Sequence, residues 1–136
     1  MSESARRIPI VDYLVLDGPD GAHLVANTCT GCGARFFDRR NACARCGEQA
    51  FERRPLATTG TVRAFTIVHR AAPNVAVPYV SAVVDLDGGG VVKANLKDIE
   101  PDPAHVSLGM RVALTTFGAG TDDEGTEAIA FGFAPI

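Results

Sequence analysis

The chain has 136 residues, 46% hydrophobic and 21% charged, with a net charge of −3. Those proportions suit one ordinary globular domain or two small ones, and exclude a disordered or fibrous chain. No apolar run approaches the roughly 18 residues of a membrane span, and nothing indicates export, so the expected location is the cytoplasm.

Charge is unevenly spread. Residues 1–57 hold eight arginines against seven acids, whereas residues 58–136 hold five basic residues against nine acids. A nucleic-acid binder needs a positive field to neutralise phosphates, and the larger segment has the wrong sign.

In chain order, residues 1–21 read as a lead-in. It has a polar start, an amphipathic stretch with Tyr13 and Leu14, and the turn DGPDG at 17–21. Residues 23–28 (HLVANT) read as a short strand entering the knuckle Cys29-Thr30-Gly31-Cys32-Gly33. A second knuckle, Cys43-Ala44-Arg45-Cys46-Gly47, follows ten residues later. Two residues between the thiols of each pair let both sulfurs face one ion, and Gly33 and Gly47 let the backbone fold over it. Between the knuckles, Arg35-Phe36-Phe37 reads as a strand and residues 38–41 as a polar turn.

Four cysteines at this spacing predict a closed tetrahedral Zn²⁺ site built from Cys29, Cys32, Cys43 and Cys46. Disulfides would need an oxidising compartment, and a redox CxxC would accompany a βαβ pattern. An iron site of rubredoxin type uses the same ligands and stays open on spacing alone. A catalytic zinc keeps one position for water; four thiolates leave none, so the expected role is structural.

Pro55 and residues 58–60 mark a boundary, after which strands and turns alternate. Residues 61–70, 78–86, 91–96, 110–117 and 127–133 predict five strands. Residues 87–90 (DGGG) give a hairpin between the second and third, and 98–105 (DIEPDPAH) a short helix or turn between the third and fourth. Residues 118–125 read as a flexible polar loop. Five strands with that interruption match a small Greek-key barrel of the OB type, with Gly60, Gly109 and Gly118 at its bends.

No GxSxG, P-loop or GxGxxG occurs, and all four cysteines are committed to metal. His69 stands beside Arg70 with no partner for acid–base work. Asp85 and Asp87 share a strand face as solvated acids. Arg39 and Arg40, in an Arg-rich turn, suit an acidic partner surface or the phosphates of a ligand, because guanidinium bonds oxygens bidentately. Lys93 and Asn95 share one strand face and could meet the same ligand. Phe65, Tyr79, Phe117, Phe131 and Phe133 are expected in the core or at a partner interface.

The order of CTGCGARFFDRRNACARCG (29–47), GTVRAFTIVHR (60–70), VPYVSAVVDLDGGG (77–90) and SLGMRVAL (107–114) resembles the DUF35 family. The likeness spans about residues 22–136; in the knuckle turn, FFDRR stands where many members have Phe-Pro-Pro-Arg. The resemblance implies a mainly β chain: lead-in 1–21, rubredoxin-like zinc ribbon 22–57 and five-stranded OB-fold barrel 58–136. It further implies a non-catalytic accessory subunit of a thiolase-fold or lipid-transfer-protein-type aldolase. Such an enzyme acts on acyl-CoA, steroid side chains included. The implied assembly is a heterotetramer on a partner dimer, with a CoA thioester at the shared interface. The other reading of a zinc ribbon with an OB barrel, a nucleic-acid-binding module, is opposed by the acidic barrel.

Overall fold

A computed structural model describes residues 7–16 and 21–136. Its elements are ten strands: β1 (Arg7–Pro9), β2 (Leu14–Val15), β3 (His23–Cys29), β4 (Arg35–Phe36), β5 (Phe51–Pro55), β6 (Thr59–Val68), β7 (Tyr79–Leu86), β8 (Val91–Leu96), β9 (Arg111–Thr121) and β10 (Glu127–Pro135). The polar start (1–6) and most of the turn expected at 17–21 lie outside the described residues.

The ribbon is organised on β3, which pairs antiparallel with β2, β4 and β5. Strict alternation in β3 turns Leu24, Ala26 and Thr28 to one buried face. Strand β5 is absent from the sequence reading because FERRP is polar and lacks alternation. It forms because β3 offers it a full row of backbone partners, from Val25↔Pro55 to Cys29↔Phe51.

The barrel closes in the order β6-β7-β8-β10-β9 and back to β6. All of its pairings are antiparallel except β8 with β10, where Phe133 pairs with Leu96 and the Lys97 N–H donates to the Phe133 carbonyl at 2.7 Å. This is the five-stranded OB-type barrel expected from the strand order. Alternation again sorts the faces: Val80, Ala82, Val84 and Leu86 of β7 point inward and are buried. Close approach makes Gly60 obligatory, since a Cβ there would lie 2.5 Å from the Asp85 carbonyl oxygen.

One local expectation changes. Residues 118–125 form no simple loop: β9 runs on to Thr121, paired with β10 past a bulge at Ala128/Ile129. The true tip is a tight turn in which the Asp122 carboxylate accepts N–H bonds from Glu124 and Thr126, both at 2.9 Å. Residues 98–105 take the turn alternative, as a run of bends and turns.

The lead-in is built into both halves. β1 adds a parallel strand to β10, with Ile8 opposite Ala128. Leu14 is buried in the same apolar cluster as Leu24, Ala26 and Leu56 and the barrel residues Val62, Val84 and Phe133. Tyr13 meets Phe37 of the ribbon (centroids 4.5 Å) and Phe131 of the barrel (6.1 Å). Ribbon and barrel therefore share one continuous core, reinforced where Arg35 donates to the Gly88 carbonyl at 3.0 Å.

Candidate metal centre and flanking grooves

Each knuckle is a tight turn closed by its own backbone. The Gly33 N–H donates to the Cys29 carbonyl (3.0 Å) and the Gly47 N–H to the Cys43 carbonyl (2.8 Å). Both glycines sit at positive φ, +81° and +83°, the left-handed region this turn requires. The same turns aim the Gly31 N–H at Cys29 Sγ (3.4 Å) and the Arg45 N–H at Cys43 Sγ (3.3 Å).

The two knuckles bring all four sulfurs within 4.8 Å of one another. Cys29 and Cys46 Sγ are 3.6 Å apart, as are Cys32 and Cys43 Sγ. A tetrahedron with metal–sulfur bonds of about 2.3 Å has sulfurs about 3.8 Å apart, so the donor set fits a four-thiolate metal. Cys29 and Cys43 are buried, Cys32 is half-buried and Cys46 is exposed.

Burial pushes the Cys43 thiol up, but N–H groups of Cys46 and Arg45 and the neighbouring thiols outweigh it and bring it to about 6. The Glu48 N–H favours the Cys46 thiolate, yet the thiols of Cys29 and Cys32, with burial, push it up to about 12. Thiols this close do not all ionise unless a cation offsets their charge. A metal there would tie β3 to the segment before β5; with four thiolate donors the site leaves no position for substrate.

Arg39 and Arg40 line a groove of about 650 Å³ on the ribbon, with Tyr13, Phe37, Phe51 and Arg53 among its walls. Arg40 lies 4.3 Å over the Phe36 ring and pairs with Asp38 at 3.4 Å. Arg53, brought there by β5, donates to the Asp12 carbonyl at 3.1 Å. Lys93 and Asn95 share the exposed face of β8 but stand on the barrel, in two other concavities. The structure thus groups these four residues as two separate pairs.

Asp87, which reads as solvated in the sequence, is the centre of a barrel clasp. Arg111 grips its carboxylate with two bonds, 2.8 and 2.7 Å, and Thr59 donates a third at 2.6 Å. Those bonds, Arg111 first, hold the Asp87 carboxyl well below its ordinary 3.8 and raise Arg111. A depressed folded-state value adds stability that is complete above the unfolded value and disappears as pH falls toward the folded one. Asp87→Asn should therefore be less stable than wild type at neutral pH, with the gap closing in acid. Both side chains are over two-fifths exposed, so the gap should be small and shrink with salt; urea melts at the two pH values, with and without salt, measure it.

Among the described residues no helix is long and apolar enough to cross a membrane. Comparison with curated proteins returns no match. The family "ChsH2, rubredoxin-like zinc ribbon domain" matches residues 21–52, and "ChsH2, C-terminal OB-fold domain" matches residues 53–117. A solved structure described as "Ltp2-ChsH2(DUF35) aldolase" superposes with a TM-score of 0.67 at 30% identity. That alignment covers 83% of this chain and 84% of the other. With the four-cysteine cluster, the closed barrel and these matches in hand, the chain belongs to the ChsH2-type DUF35 family of zinc ribbon plus OB-fold proteins.

Proposed function

We propose that this chain is the non-catalytic accessory subunit of an aldolase acting on acyl-CoA thioesters. The observation that carries the reading is the likeness, over more than four-fifths of both chains, to a chain of the Ltp2-ChsH2(DUF35) aldolase. The chemistry of the chain agrees. Carbon–carbon cleavage beside a thioester needs a placed acid–base or nucleophilic set. Among the described residues the four thiols are drawn into one cluster, and no side-chain hydroxyl, thiol or amine is hydrogen-bonded to an imidazole.

In this reading the partner is a thiolase-fold, lipid-transfer-protein-type catalytic chain, and two copies of each form a heterotetramer on the partner dimer. Residues 22–57 are the ribbon, held by Zn²⁺, and residues 58–136 the barrel, working together in the cytoplasm. Arg39 and Arg40, with Arg53, offer guanidinium groups to CoA phosphates, while Lys93 and Asn95 meet the partner. The acyl group is a steroid side chain or a similar branched thioester.

Co-expression with a thiolase-fold aldolase chain of the same organism tests this. A stable complex by size-exclusion chromatography with light scattering is expected, with aldol cleavage in the complex and none by this chain alone. A chain that stays alone and binds single-stranded oligonucleotides with steep salt dependence would overturn the reading in favour of a nucleic-acid module.

A further inference from the structure

The barrel's five cations divide into two groups. Arg63 pairs with Asp85 at 3.2 Å and Arg111 with Asp87 at 2.7 Å. Arg70, Lys93 and Lys97 make no ion pair among the described residues; Lys97 instead lies 4.1 Å over the Phe117 ring. On a barrel with a surplus of acids, Lys93 and Lys97 line two adjoining concavities, and Arg70 lies in the loop that leads to them.

The surface holding those concavities begins at the loop joining β6 to β7. Residues 69–78 (HRAAPNVAVP) are exposed throughout, and Val75 and Val77 are each 42% exposed. Arg70 stands at the loop's start. Its far end runs onto the outer face of β7 and β8, where two concavities share Tyr79 as a wall. The first, about 460 Å³, includes Val68, Val83 and Lys93; the second, about 400 Å³, includes Val75, Pro78 and Lys97. One carboxylate, Asp98, lines the second.

An apolar loop held in water with a cationic border has the make-up of an interface: an apolar centre and a charged rim. Pro73 and Pro78 restrict the loop before it docks, which lowers the ordering entropy of association. The complementary surface is an apolar patch rimmed by carboxylates. Among the described residues, the acidic hairpin tip of a second copy does not supply one. Its acidic projection, residues 122–124, is a hairpin tip with every residue from 118 to 125 exposed and only Ala119 apolar, and its Asp122 carboxylate is occupied by the turn.

We propose that the β6–β7 loop and the adjoining outer face of β7 and β8 dock the catalytic chain, through an apolar patch with a carboxylate rim on that chain. The inference rests on the accessory-subunit reading and adds the surface and the chemistry of its partner. Three variants test it in co-expression with the thiolase-fold aldolase chain: Val75→Asp with Val77→Asp, Lys93→Glu with Lys97→Glu, and Leu108→Asp as an exposed apolar control that lines neither concavity.

Binding to the catalytic chain is expected to weaken at least tenfold for the first two and to stay unchanged for the third. Melting curves of the isolated variants should match wild type, because the substituted side chains lie outside the core. Wild-type association should also slow with salt. If wild type binds while both double variants bind equally well, the docking face is wrong and the accessory-subunit reading stands. If wild type itself fails to bind, both fall together. If the variants instead dissociate a self-associated form of this chain, the face belongs to a second copy and the inference is overturned.

Discussion

Cys46→Ser is expected to yield a chain that holds no metal and melts with its ribbon already disordered. Cys46 is the exposed member of the cluster, so the change removes one thiolate without opening a cavity. Apparent binding free energies of structural zinc sites are about 10–16 kcal/mol in small peptides, comparable to the whole stability of an ordinary domain, about 5–15 kcal/mol. The effect should not stop at the ribbon. Leu24 and Ala26 of β3, with Leu14 and Leu56, lie in one cluster with Val62, Val84 and Phe133 of the barrel. Loss of the knuckles therefore uncovers part of the barrel's own core. Elemental analysis should find one zinc per chain in wild type and none in the variant. Chelation or acidification of wild type should reproduce the loss, since protons compete with metal for thiolate. A metal-free variant with a wild-type melting temperature would sink the structural role. Iron in place of zinc would show as colour and change the metal while leaving this outcome intact.

Phe133→Ala should be the most damaging single change away from the metal. Phe133 has no exposed surface, packs edge-on against Phe131 with centroids 6.3 Å apart, and sits where β10 meets β8. Truncating a buried Phe typically costs about 3–5 kcal/mol, from lost transfer free energy plus the cavity left behind. Closure depends on this point, because β8 and β10 share a single registered residue pair, backed by the Lys97–Phe133 hydrogen bond. Amide exchange should accelerate most at Leu96, Lys97 and their β10 partners. Ile136→Ala, at a side chain 71% exposed, should change stability by about 0.5 kcal/mol or less. Urea unfolding of both variants gives the comparison, and a loss below about 1 kcal/mol for Phe133→Ala would show that the barrel collapses around the vacancy.

Much of the fold was legible because its signals are local. A knuckle is five residues long, and its two thiols, its turn and its glycine are specified within that span. The hairpin at 87–90 and the alternation of residues 79–86 and 91–96 likewise need only neighbours. The observed β8 coincides with the expected strand, and β7 starts one residue late. The metal cluster was readable for the same reason: once both knuckles form, few arrangements of β3 and the following turn keep the sulfurs apart.

What escaped the sequence reading involves residues far apart in the chain. β5 is a strand because β3 needs a partner, and FERRP carries no period of its own. Asp87 meets Arg111 only because β9 pairs with β6 to close the barrel, a contact across 24 residues. Tyr13 and Leu14 read only as an amphipathic stretch of the lead-in, yet they join ribbon and barrel. Arg39 and Arg40 acquire Arg53 as a neighbour, and Lys93 acquires Tyr79 and Val83, only once the strands are in register.

By itself, then, the sequence determined a four-cysteine ribbon ahead of an OB-type barrel, since ligand spacing, glycine turns and side-chain alternation act within a few residues. The tertiary structure alone decided that both halves share one core, that the acidic barrel neutralises two of its cations internally, and that Lys93 and Lys97 line adjoining concavities on the face that the β6–β7 loop reaches. Those features come from pairing between distant strands, and burial and charge complementarity at such contacts leave no periodic trace in the chain.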